Sequence, residues 1–441
     1  MRFSKIGRIV LALAASLFIG FGTQSCYYYT EAYIIVTGSQ YNQVASYREQ
    51  NQTGQLQAAP GDPLGSGGTD PVRAVLLPGG RYVYVLNEGA SKYDGAGNIT
   101  WSNANISLFS IGGDGGLSYQ LSYQSQGYGS IRMALNSSGN VLYVLDTYQP
   151  TGTVNYTPGS PTYNATTTPC YDAAYHVYRP AGDITAFSVD GTTGRLFLLT
   201  NQQQENAQGT ALTYFPIGCG AIDFHTFSSY LYTGEASDPA SGQTQVVYAY
   251  SVSGNGQLIQ VAGGAQPVHT ENMGNFGESQ DGRYLYLLDN GPDNLIYIFT
   301  EGSNGLLSAI ATGAVPNTGA SGMTAIATDS QSKYVYVTNT QSTGVGNPGS
   351  IISEYEIEGG GQLYPLPTAQ PTGNLYGTGS TPVCIFEDPS HQYIYTANAT
   401  SSNVVGAAFS PLTGILTNLS KGSTFTVVGT PTWCLYSSNT D

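Results

Sequence analysis

Two arginines have the type and spacing best suited to chemistry. Arg73, in Asp70-Pro71-Val72-Arg73, and Arg132, in Ser130-Ile131-Arg132, stand 59 residues apart, each at the same distance before a turn and a tyrosine-rich strand. A guanidinium pair at equivalent positions can grip a carboxylate or polarise a lactone carbonyl. The plainer alternative is that each pairs with an acid of a neighbouring unit. Cys384, Asn275 and Ala325 fall at the same position in other units. His269 and Glu271, in Pro267-Val268-His269-Thr270-Glu271, have the residue types of a base and an orienter that activate water, although a lone loop histidine is more often a surface residue. The remaining His176, His225 and His391 are scattered through an insertion, a strand and a turn. Four histidines without close ligand spacing do not make a zinc site. With no nucleophile elbow, P-loop or dinucleotide fingerprint in a suitable setting, no motif requires a cofactor or metal.

A third set consists of polar residues that close successive strands: Asn87, Glu88, Asp146, Glu235, Asp289, Asn290, Asn339 and Asn398. Asn and Asp end strands and seed turns on their own account. Around one channel mouth they would form a ring of acceptors for a polar ligand or a cation.

The elements that carry these residues repeat. An apolar strand, a tight turn and a tyrosine-rich strand recur, as in Leu-Pro-Gly-Gly-Arg-Tyr-Val-Tyr-Val-Leu-Asn ending at Asn87. Further copies end at Asp146, Glu235, Asp289, Asn339 and Asn398, with spacings of 59, 89, 54, 50 and 59 residues. A third strand such as Ile106–Ile111 follows, then a glycine-rich turn and a short fourth strand. Alternating Tyr, Val and Leu is a strand signal, and a period near 50 with four strands per unit marks a propeller. Tyr33-Ile34-Ile35-Val36-Thr37-Gly38 is a degenerate first copy, which makes seven units. The first unit starts almost at its second strand, while Thr430-Pro431-Thr432-Trp433-Cys434-Leu435 resembles the first strand of a unit. The expected fold is all-β: one seven-bladed β-propeller over residues 27–441, with the C-terminal strand completing the N-terminal blade.

Composition agrees. The 441 residues include 57 Gly and 35 Tyr, and only 9% are charged, too few for long surface helices. A hydrophobic content of 40% suffices for a core, which excludes acidic disorder. The formal charge of −15 argues against a nucleic-acid partner.

Tyr336-Val337-Thr338-Asn339, with the Asp-Gly-Arg-Tyr-Leu-Tyr and Thr-Gly-Arg-Leu elements, resembles the YVTN, or lactonase-like, seven-bladed propellers. That group includes the 6-phosphogluconolactonases and the carboxymuconate-cyclising enzymes. The resemblance covers nearly the whole chain after residue 26 and implies the fold more strongly than an activity. Gly-Pro-Arg-His, common in lactonase-like enzymes at the head of the channel strands, is replaced by Asp70-Pro71-Val72-Arg73 and Thr381-Pro382-Val383-Cys384.

Residues 1–25 read as a signal peptide: Arg2, Lys5 and Arg8 precede the apolar run Ile9–Gly22, too short for a comfortable span. Thr23-Gln24-Ser25-Cys26 resembles a bacterial lipoprotein site, in which Cys26 becomes the lipidated first residue. The chain without residues 1–25 carries a charge of −18. The expectation is an exported protein, lipid-anchored at the cell envelope or secreted, touching a membrane only through that anchor, and monomeric. An exported chain permits disulfides. Cys170, in a long insertion at about 148–180, is expected to pair with Cys219, pinning this loop beside the channel. Cys384 is expected to pair with Cys434, although their positions are one residue out of register; two buried thiols are the alternative.

Two functions fit. One is a lactonase with Arg73 and Arg132 holding a small-molecule substrate and His269 or Glu271 activating water. The other is a non-catalytic envelope propeller that binds a glycan, peptide or protein, favoured by many Tyr and Asn and few charges.

Overall fold

In the computed structural model, residues 29–438 are described apart from 94–98, 103, 151–169, 173–176, 207, 237–244, 269, 271, 343–348 and 368–374. Among the described residues, besides two short two-stranded ribbons, seven antiparallel sheets of four or five strands follow one another along the chain. Each runs outward from an inner strand, and six of the inner strands begin their units: Pro71–Leu76 in blade 2, Tyr128–Leu135 in blade 3, Ala221–Phe227 in blade 4, Met273–Glu278 in blade 5, Ala320–Thr328 in blade 6 and Pro382–Glu387 in blade 7. In blade 1 the inner strand is the last of the chain. Pro431–Ser438 lies antiparallel to Thr30–Gly38, with Ile35 opposite Leu435 and Thr37 opposite Trp433. The ring therefore closes by pairing the first and last described strands within one blade, which completes that blade's sheet.

The hydrophobic core is divided into layers, one between each pair of adjacent blades. Ile35 and Val44 of blade 1 pack on Ala74 and Val83 of blade 2. The last layer joins blade 7 to blade 1 through Tyr395, Val404, Ile34 and Ala45. Burying apolar surface on both faces of every blade explains why the second strands are almost continuously buried, as over Tyr393–Asn398.

Tyrosine and glycine register the blades. A fully buried tyrosine of the second strand, three residues before the polar residue Asn87, Asp146, Glu235, Asn339 or Asn398, reaches into the next blade and donates its hydroxyl to a glycine carbonyl in the outer turn. Tyr84 reaches Gly194 at 2.7 Å, Tyr143 reaches Gly256 at 3.0 Å, and Tyr232 reaches Gly305 at 2.9 Å. Tyr336 reaches Gly414 at 2.6 Å and Tyr395 reaches Gly54 at 2.9 Å. Gly305 (φ 76°) and Gly414 (φ 71°) take the left-handed conformation, and a Cβ there would strike the rings of Tyr230 and Tyr334.

Both expected disulfides are present. Cys170–Cys219 has a Cα separation of 5.5 Å and ties the short strand Cys170–Asp172 to the head of blade 4. Cys384–Cys434, with a Cα separation of 5.7 Å, joins the inner strands of blades 7 and 1 across the ring closure. Most of the 148–180 insertion lies outside the described residues, as do residues 1–25 and Cys26.

Candidate functional site

The inner strands line the central channel, and near its start each one slips register against its neighbour. The slip falls between Pro71 and Arg73, Ser130 and Arg132, Ala221 and Asp223, Met323 and Ala325, and Pro382 and Cys384. Blade 5 slips across Gly274 and Asn275, and blade 1 between Pro431 and Trp433. A bulge of this kind re-aims the next side chain. It delivers Arg73, Arg132, Asp223, Asn275 and Trp433 to one level of the channel.

Arg132 and Arg73 are equivalent in register but differ in surroundings. Arg132 donates Nε to Asp223 Oδ1 at 2.9 Å and Nη2 to Asn275 Oδ1 at 2.9 Å. Its Nη1 reaches the Ile131 carbonyl at 2.9 Å. Asp223, almost fully buried, also accepts from the Phe224 and Phe276 amides at 3.0 and 2.9 Å. Asn275 passes its own amide to the Thr324 carbonyl. Arg132 is thus the centre of a polar belt joining blades 3, 4, 5 and 6, and the plainer alternative holds for it.

Arg73 has no such partner. Its guanidinium carbon lies 3.3 Å from the centroid of the Trp433 ring, and it makes no hydrogen bond or ion pair among the described residues. Stacking on indole supports a cation while leaving its N–H donors free. Burial first, then the Arg132 cation, lower the Arg73 pKa to about 9 against the opposing pull of Asp223, so it stays charged at neutral pH.

Arg73, Asn275 and Trp433 form a waist between two cavities. The first, about 340 Å³, opens where the inner strands begin and includes Arg132, Thr324 and Val383. The second, about 280 Å³, lies toward the ends of those strands. It contains two imidazole–carboxylate pairs. His225 Nε2 is 3.4 Å from Glu278 Oε2, and His391 Nδ1 is 3.4 Å from Glu387 Oε1. Glu387 accepts the Ser330 amide on Oε2 at 2.6 Å, whereas its buried Oε1 has no hydrogen bond among the described residues. Burial is the main cause of a pKa above the ordinary carboxylate range for Glu387, opposed by Ser330 and His391. Phe276, Phe386, Trp433 and Tyr436 give this chamber an aromatic wall.

These four acid–base residues were not singled out by the sequence as a group. Their signal is positional: Glu278 and Glu387 each end an inner strand immediately before the turn. His269 and Glu271, by contrast, lie outside the described residues. Asn87, Asp146, Glu235, Asp289, Asn339 and Asn398 are all buried. Asn87 donates to Asn105 at 2.7 Å, Asn339 to Ser353 at 3.0 Å and Asn398 to Asn403 at 3.0 Å, so these three latch strands within their blades. Glu88 is half-buried, and burial followed by Asp70 pushes its carboxyl up to about 7, with Arg132 pulling it down. Cys384, at the Arg73 position in sequence, is committed to its disulfide.

No protein-family model matches this chain, and no curated protein matches it in sequence. Solved structures do match in fold. A "putative 6-phosphogluconolactonase" from Bacteroides fragilis aligns at 16% identity with a TM-score of 0.63, over 92% of this chain and 98% of its own. The periplasmic gluconolactonase PpgL of Pseudomonas aeruginosa aligns at 15% identity and a TM-score of 0.62, over 92% and 99%. A Lactobacillus plantarum protein gives 14% identity and a TM-score of 0.62, over 92% and 99%. The chain has the fold of the lactonase-like seven-bladed β-propellers.

Proposed function

We propose that this propeller hydrolyses a lactone in its central channel. The observation that carries the reading is the convergence, on one 280 Å³ chamber, of an arginine that makes no hydrogen bond or ion pair among the described residues with two imidazole–carboxylate pairs. Glu387, held by Ser330 and oriented by His391, takes a proton from water. The resulting hydroxide adds to the lactone carbonyl, and the developing oxyanion is met by the free N–H groups of Arg73. Collapse breaks the ring C–O bond, and the proton on Glu387 passes to the leaving alkoxide, giving a hydroxy acid. His225 and Glu278 face the other polar groups of the substrate. The fold likeness to PpgL and to the Bacteroides protein supports the choice of reaction class.

Export is part of the same proposal. It is supported by the basic and apolar leader, by the two disulfides and by the periplasmic setting of the Pseudomonas neighbour. We assign Cys26 as the lipidated residue.

A panel of sugar and aliphatic lactones, assayed with purified protein lacking residues 1–25, tests the reaction. Turnover is expected for wild type, with an acid limb in the pH–rate profile above the usual carboxylate pKa of about 4.3. Activity rises with pH through that limb because Glu387 acts ionised. Glu387→Gln is expected to lose about 10²–10⁴-fold in kcat. Binding without turnover by wild type would leave the channel a binding site and end the hydrolase reading.

A further inference from the structure

The residue that closes the second strand faces a residue of the third strand in every described blade, and in two blades both are asparagine. Asn87 faces Asn105 and Asn398 faces Asn403, each pair joined by an amide hydrogen bond. Blade 3 puts Asp146 opposite Asp183 at the same place. Both aspartates are fully buried. Two carboxylates have no proton to exchange, so the latch that works in blades 2 and 7 cannot form.

The two carboxyls are also unequal. Asp146 accepts from Ser130, from Ser125 at 2.6 Å, from Thr185 at 3.0 Å and from the Gly127 amide at 3.2 Å. Asp183 lies opposite Asp146, and neither of its oxygens makes a hydrogen bond among the described residues, the neighbouring Thr185 hydroxyl being given to Asp146. A single proton shared between the carboxyls would satisfy one oxygen of Asp183 and leave the other orphaned. A cation answers both.

We propose that Asp146 and Asp183, with the hydroxyls of Ser125, Ser130 and Thr185, form a binding site for a divalent cation of the Ca²⁺ type. The two carboxyls and three hydroxyls supply seven oxygens, within the roughly six to eight that Ca²⁺ takes, and no nitrogen or sulfur. Two carboxylates neutralise the dication. The site stands at the root of the 148–180 insertion: Gly182, next to Asp183, bonds the carbonyl of Gly218, which precedes the disulfide cysteine Cys219.

The test is equilibrium dialysis of chelator-treated protein against radiolabelled Ca²⁺ at pH 7.5, with thermal melting in parallel. Wild type is expected to retain one Ca²⁺ per chain and to melt on the order of 2–4 °C higher with millimolar CaCl₂. Asp183→Asn, which lets the third-strand amide donate to Asp146 in the reverse sense to the Asn–Asn latches of blades 2 and 7, is expected to bind none and to melt no lower than calcium-free wild type. Absence of stoichiometric binding by wild type overturns the proposal whatever the variant does. So does equal retention by a folded Asp183→Asn. A wild type indifferent to Ca²⁺ whose Tm falls as pH rises from 5 to 8 would assign the pair a shared proton instead. Lactone turnover is not a readout here, so the outcome is independent of the channel reaction.

Discussion

Replacing Arg73 with alanine is expected to lower kcat/KM for lactone hydrolysis by about 10²–10³-fold, the usual loss when one oxyanion donor is removed. Most of the loss should appear in kcat, because the guanidinium meets charge that develops only as water adds. Stability should change little. Arg73 makes no hydrogen bond or ion pair among the described residues, and stacking on Trp433 contributes about 0.5–2 kcal/mol. Arg73→Lys keeps the charge but not the planar fork, so its activity should fall between the two. Steady-state kinetics beside a melting curve separates the effects. A variant as active as wild type would remove Arg73 from the chemistry, and one that no longer folds would make it structural.

The second large effect falls on stability. Asp223→Ala is expected to destabilise the fold by about 3–5 kcal/mol, because it strands the Arg132 cation in the channel wall. It also orphans the Phe224 and Phe276 amides, which now bond the same carboxylate. The double variant Asp223→Ala/Arg132→Met should cost less than the single one, since no charge is then left unpaired. Urea unfolding measures both. A loss under about 1 kcal/mol for Asp223→Ala would mean that the belt joining blades 3 to 6 is not a structural tie.

The contrast between the two arginines shows how much of the site could be read in advance. Equal spacing placed Arg73 and Arg132 correctly at one level of the channel. It could not distinguish their roles, because the difference depends on what neighbouring blades present: Asp223 and Asn275 to one, Trp433 to the other. Those partners come from 91, 143 and 360 residues away along the chain. The repeat itself was legible because each blade repeats the same local demands: alternation along the second strand, a turn, and a tyrosine aligned with a glycine of the next blade. Closure was legible for the same reason, as Trp433 and Cys434 sit in a sequence that matches an inner strand.

Among the polar strand ends, Asn87, Asn339 and Asn398 turn into their own blades and satisfy buried strand ends, the plainer of the two roles their residue types suggest. His225 and His391 looked scattered because one lies on a strand and the other in a turn. Folding brings both to the chamber where Glu278 and Glu387 end their strands.

A crystal structure with a lactam analogue of the best lactone substrate tests the central claim most directly. The lactam keeps the ring and carbonyl but resists ring opening. The account predicts the analogue in the chamber beyond the Arg73–Trp433 waist, its carbonyl oxygen within hydrogen-bond distance of Arg73 and its carbonyl carbon facing Glu387. Density confined to the outer cavity beside Arg132, or elsewhere on the protein, would contradict it.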